Sequence, residues 1–164
     1  MTTRKIELPR RYIMTIHVRD TAELSALIGT HLGYSDYRTV TQEEVNLFAD
    51  ATGDHQWIHV DPVRAATGPF GRTIAHGYMT LSLLPVLLSG LMKVDGVTMG
   101  VNYGTNKVRF PSPVPVGSEI RAGATLASVE EVNGGVQIVM DVVVEVKDAT
   151  KPSCVAQIVS RYYK

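Results

Sequence analysis

The sequence predicts an α+β domain in which one long apolar helix is covered by an antiparallel sheet. Three observations carry this. Residues 74–92 form an apolar run whose leucines, valines and methionines fall on every side of a helix. From Val97 onward apolar and polar residues alternate with period two, as in half-buried strands. Asn133-Gly134 sits between two such segments and is a strong hairpin signal. A helix that is apolar all round needs apolar surface on every side. A curved sheet supplies most of it, and two copies set edge to edge would cover the rest.

Taken in order, Tyr12–Val18 reads as a short strand. Asp20 is the N-cap of a helix over residues 21–32, with Glu23 completing a capping box and Gly33 ending it. Residues 37–40 form an extended linker. Thr41 and Glu44 repeat the box, opening a helix whose apolar face is Val45, Phe48 and Ala49 and which Gly53 stops. Asp61-Pro62 are N-cap and first position of a brief turn through Ala66, closed by Gly68. The long helix starts near His76 and runs to about Met92, bent at Pro85 because that residue has no N–H to donate. Residues 97–109 form a strand, and the three prolines and glycine of PSPVPVG then forbid regular pairing. Ser118–Ser128 puts Ile120, Ala122, Ala124 and Leu126 on one face. Val136–Val146 matches it with Ile138, Met140, Val142 and Val144. Ser153–Tyr163 completes a meander of about four strands.

At 164 residues the chain suits one domain, 1–164, with a core of ordinary size; 45% of residues are hydrophobic and 20% charged. Net charge is zero, so no electrostatic case exists for nucleic acid or an anionic membrane as partner. The same neutrality is compatible with self-association. One cysteine, Cys154, excludes an internal disulfide and fits a reducing, cytoplasmic compartment. The N-terminus is basic but lacks an apolar core of signal-peptide length. His76, Thr80, Ser82, Pro85 and Ser89 interrupt the apolar run, which therefore reads as a buried helix and not as a membrane span.

The chemistry concentrates between Phe48 and Tyr78. Asp54, His55, His59 and Asp61 fall within eight residues, and His76-Gly77 heads the apolar run. A carboxylate and an imidazole on one loop can share a water and move its protons, since imidazole titrates near neutrality. Spacing alone favours a plainer use, with Asp54 capping a helix and His59 donating a hydrogen bond in a packed loop. A metal site built on His55, His59 and Asp61 ranks well below the acid–imidazole pair. The residue after the first histidine is Gln56, not the glutamate of a metalloprotease helix, and breakers bracket the segment. No G-x-S-x-G elbow is present, and Cys154 lies in a strand with no flanking histidine. The absence of a phosphate-binding glycine loop leaves nucleotide cofactors without support. Gly77, at a helix start, offers an amide that a ligand carbonyl could approach closely, a use comparable in weight to simple tight packing.

The run A-T-G-D-H-Q-W-I-H-V-D-P-V-R-A-A, followed by I-A-H-G-Y and N-Y-G-T-N-K-V-R-F-P-S-P-V-P-V-G-S, resembles the MaoC-like, (R)-specific enoyl-CoA hydratases. Gln56-Trp57 stands where Asn-Pro is common, which is similar to the nodulation protein N-like branch. The resemblance implies a hot-dog fold paired into a homodimer. It also implies hydration of trans-2-enoyl-CoA to (R)-3-hydroxyacyl-CoA, or the reverse, with no metal and no cofactor beyond the coenzyme A of the substrate. By position, Asp54 and His59 become the pair that holds and activates water, and Gly77 the amide that binds the thioester oxygen. Trp57, His76 and Tyr78 are candidate substrate contacts and Arg72 and Arg109 candidate contacts for the coenzyme phosphates, each beside a plainer reading: core packing for Tyr78, and a surface or ion-pair place for lone arginines. Two rivals follow from the same layout: a hot-dog thioesterase, and a non-catalytic acyl-CoA binding module. The apolar helix contains neither Asp nor Glu, which argues against the thioesterase, whose acid usually lies there.

Overall fold

The structure, a computed structural model, describes residues 15–164. Of the first expected strand, Tyr12, Ile13 and Met14 lie outside that range, and Ile16–Val18 forms β1. A 3-10 helix (Thr21–Leu27), β2 (His31–Tyr34), β3 (Arg38–Thr39) and α1 (Gln42–Thr52) follow. Three short helices come next, α2 (Trp57–Val60), α3 (Pro62–Ala66) and α4 (Gly77–Ser82), and then α5 (Leu84–Leu88). The chain ends in strands β4 (Met92–Val94), β5 (Met99–Arg109), β6 (Glu119–Val132), β7 (Gly135–Val146) and β8 (Cys154–Tyr163).

The main sheet runs β2-β6-β7-β8-β5, with β3 also paired to β6, and every pairing in it is antiparallel. The predicted faces appear where alternation put them. Ile120, Ala122, Ala124, Leu126, Ile138, Met140, Val142 and Val144 are all buried. Arg121 and Glu145 meet across the opposite face at 2.9 Å. Gly134 adopts φ 79° in the hairpin that joins β6 to β7, a conformation glycine enters without strain.

Four expectations need correction. The helix after Asp20 is one short 3-10 segment. Asp20 caps Ala22 and Glu23, but the Glu23 carboxylate accepts from Arg19 N–H, so the reciprocal half of the box is absent. Gly29 then donates to the Leu126 carbonyl at 2.8 Å, and the chain leaves the helix to pair with β6, placing Gly33 inside β2. The long apolar helix is two helices. Pro85 cannot donate to the turn before it, and Leu83 N–H is shared between the Met79 and Leu81 carbonyls at the break. The second helix stops at Leu88, and Met92 enters β4, parallel to β1.

Third, this helix pair is not covered on all sides. Met79, Leu84 and Leu87 are buried, whereas Tyr78 is 72% and Val86 56% exposed. Fourth, the sheet is larger than a four-stranded meander, and β5 joins the far edge beside β8 instead of lying next to β6. The capping box of α1, its Gly53 stop at φ 79°, and the Asp61-Pro62 start of α3 all stand as the sequence predicts.

Candidate active site

Gly53 ends α1 in the left-handed conformation and turns the chain so that Asp54 begins a loop. Its carboxylate accepts from the Gln56 N–H at 3.4 Å and is 57% exposed. The single turn α2 then buries His59. Ile74 N–H donates to the Ile58 carbonyl at 3.0 Å, which lays residues 73–75 against this turn. His59 Nδ1 lies 2.7 Å from the Ile74 carbonyl oxygen. A carbonyl only accepts, so Nδ1 carries the hydrogen and Nε2 keeps its lone pair. Burial pushes the His59 imidazole below its ordinary value of 6.5, and the neighbouring His76 acts in the same direction. The ring is therefore neutral near pH 7, with a free base at Nε2.

His76 N-caps α4 without a side-chain cap bond. Its buried ring stacks on His59, centroids 3.8 Å apart and planes 25° apart, while Phe48 packs on it at 5.0 Å. His76 Nε2 donates to the Asp54 main-chain carbonyl at 2.9 Å and lies 4.0 Å from its carboxylate. One nitrogen from each imidazole and one Asp54 oxygen lie within 4.8 Å of one another. Gly77 follows at the start of α4, where the first N–H groups have no partner in the helix. A Cβ at Gly77 would come within 2.8 Å of the Phe110 ring, so a larger residue would displace that ring.

The trio Asp54, His59 and His76 is a possible cation site by distance. Stacked rings, however, direct their in-plane lone pairs side by side instead of converging them, and His76 Nε2 is already engaged with Asp54. The set suits proton transfer better than coordination. The pair weighed with His59 as metal ligands goes elsewhere: His55 contacts Asp50 at 2.8 Å, and Asp61 caps Arg64.

The remaining expected contacts are scattered. Trp57 packs under the Arg64 guanidinium at 4.4 Å and against Gly68. Tyr78 faces solvent, edge-on to Phe110. Arg72 is exposed, and Arg109 folds its guanidinium back to the Val108 carbonyl. A cavity of about 620 Å³ lies between the helix pair and the sheet and begins at Leu81 and Ser82, and Tyr78 does not line it. Among the described residues no charged side chain lines it. Its walls do not include Asp54, His59 or His76, which sit at the other end of α4, about 9 Å away at the rise of a six-residue helix.

Sequence reasoning missed Gln42. Its side chain donates to the His59 carbonyl at 2.7 Å and accepts from buried Thr73 at 2.5 Å, tying α1 to α2 and to the 73–75 segment. At the first position of an amphipathic helix a glutamine looks like any surface residue, and periodicity offered no signal.

Residues 23–150 match the MaoC like domain. The chain is 61% identical over 142 residues, covering 86% of itself and 94% of the relative, to 3-hydroxyacyl-thioester dehydratase Z of Mycobacterium tuberculosis. It is 46% identical over 145 residues to nodulation protein N of Rhizobium leguminosarum bv. viciae, covering 86% and 89%. Among solved structures it is similar to the (R)-hydratase from A. caviae, at TM-score 0.63 and 24% identity, covering 81% of this chain and 94% of that one. That likeness concerns the fold.

Proposed function

The chain belongs to the MaoC-like dehydratase family and has its hot-dog fold, and we propose that it adds water to trans-2-enoyl-CoA to give (R)-3-hydroxyacyl-CoA, or reverses that reaction. Its relatives are named dehydratase and hydratase, and the chain is a hydro-lyase. The observation that carries the finer reading is the convergence of Asp54, neutral His59 and the N-terminus of α4.

In this reading a water sits between the Asp54 carboxylate and His59 Nε2. The Gly77 amide holds the thioester oxygen and stabilises the negative charge that develops as the alkene is attacked. The water oxygen bonds to C3, one of its hydrogens passes to the Asp54–His59 pair, and a proton from that pair is delivered to C2. The double bond is consumed, every atom of water is retained in the product, and no electron leaves the system. The reaction therefore needs no cofactor beyond the coenzyme A carried by the substrate. The acyl chain runs along α4 into the uncharged cavity, where apolar burial favours it.

We further read residues 1–164 as one domain, acting in the cytoplasm as a homodimer that pairs through β5. Nearly all of that strand is exposed, and among the described residues its outer edge is unpaired while β8 holds the inner one. Among the described residues no helix is long and apolar enough to cross a membrane.

Incubation with a short trans-2-enoyl-CoA tests the assignment. Hydration removes the conjugated alkene without releasing thiol, a thioesterase releases thiol, and a binding module does neither. Thiol release, or an unchanged alkene, would overturn the proposal. The thioesterase is disfavoured already, because α4 and α5 contain no carboxylate.

A further inference from the structure

We infer that His76 is a positioning residue that fixes the acid, the base and the thioester-binding amide relative to one another, an inference that rests on the hydratase reading above. Those three groups come from three separate pieces of chain: the loop after α1, the turn α2 and the start of α4. Ile74 N–H on the Ile58 carbonyl ties α2 to the segment before α4, whereas the Asp54 main chain has no bond to the main chain of either among the described residues.

One residue joins all three, its side chain meeting the first two and its main chain leading into the third. His76 Nε2 binds the Asp54 carbonyl at 2.9 Å, its ring stacks on His59 at 3.8 Å, and its own carbonyl carbon is bonded to the Gly77 amide nitrogen. The Phe48 ring closes the other side of the stack and so prevents the imidazole from swinging away from the site. The hydrogen bond to a carbonyl requires the Nε2–H tautomer and leaves Nδ1 as a bare acceptor. Nδ1 is buried with no partner among the described residues. The ring is thus held by its hydrogen bond and its stacking as a fixed strut. Its side chain is 3% exposed and offers little to substrate directly.

The test compares His76→Gln, whose amide can reach where Nε2 stood, with His76→Asn, which is too short to reach the Asp54 carbonyl. Misplacement of reacting groups by about 1 Å costs on the order of a hundredfold. The expected result is a fall in kcat of about thirtyfold or more in Asn, a smaller fall in Gln leaving it about fivefold or more above Asn, and KM for enoyl-CoA unchanged in both. Equal rates in the two variants, or losses that appear in KM, overturn the inference. Phe48→Leu removes a ring that packs on the imidazole but keeps the bond from Nε2–H to Asp54, so its kcat should fall by less than that of Asn; a loss as large overturns that bond as the carrier of the effect. A spectrum of the imidazole nitrogens in 15N-labelled protein gives a readout independent of turnover. His76, assigned by its disappearance in Gln, should show the Nε2–H tautomer alone. The other tautomer, or exchange between the two, overturns the inference even if wild-type protein proves inactive on enoyl-CoA and the hydratase reading fails by itself.

Discussion

In the proposed mechanism His59 is set as a base before any ligand arrives. The Ile74 carbonyl selects which nitrogen bears the hydrogen, and burial disfavours the charged ring. Two outcomes follow at this scale. Asp54→Asn and His59→Gln should each lower turnover by about a hundredfold or more, the usual worth of a positioned proton-transfer group; near-normal steady-state rates would remove that residue from the mechanism. Because the folded-state value of His59 lies below 6.5, the rate should hold as pH falls past 6.5 and decline only when the lowered value is reached. Stability behaves in the opposite sense. The unfolded chain takes up the His59 proton first, so this group weakens the fold as pH drops from 6.5 toward the folded-state value and adds no further loss below it. Rate and melting measured across pH 5–8 check both signs. Asp54, His59 and Gly77 were legible in the sequence because spacing and a glycine at a helix start are local features. The His59–His76 stack was not, since it joins residues seventeen apart through a turn whose path depends on tertiary contacts.

Local rules succeeded at the level of elements wherever the chain had no better partner. The capping box on α1, the Asn133-Gly134 hairpin and the buried faces of β6 and β7 are set by neighbours in sequence. They failed where a distant strand offered hydrogen bonds. The segment after Asp20 had a respectable helical pattern but paired with β6, and the helix pair ended early because Met92 joined β1. Pro85 was anticipated as a bend and proved to be part of a full interruption. The first turn of α1 now has a second duty, because Gln42, its first residue, holds the His59 carbonyl. Thr41→Ala removes the oxygen that accepts Glu44 N–H and should cost about 1 kcal/mol of stability. Chemical denaturation would show it as a lower midpoint at unchanged slope, and a midpoint equal to wild type would mean that the cap contributes nothing.

At the scale of the whole sheet, one edge is protected and the other is bare among the described residues. β2 and β3 are short, whereas β5 runs eleven residues with Met99, Val101 and Tyr103 exposed, an arrangement that isolated proteins avoid because it templates pairing with another chain. Sedimentation should therefore report about twice the 17.9 kDa chain mass. Val101→Arg should shift it toward the monomer. A wild-type protein sedimenting as a single chain would refute the proposed pairing. The sequence hinted at this through its neutral charge and through a helix too apolar for one sheet to cover, but it could not identify the edge, since β5 takes its place beside β8 only in the assembled sheet.

The cavity wall carries its own selectivity. With no cation or acid lining it among the described residues, the described wall has nothing to compensate an ionised group at the far end of a long guest. Dehydrating such a group without a partner is costly. A thioester whose tail terminates in carboxylate should thus be turned over with kcat/KM lower by about a hundredfold or more than its methyl-ended counterpart of equal length. The protein would thereby sort monoacids from diacids by omission alone, without any group dedicated to refusing them.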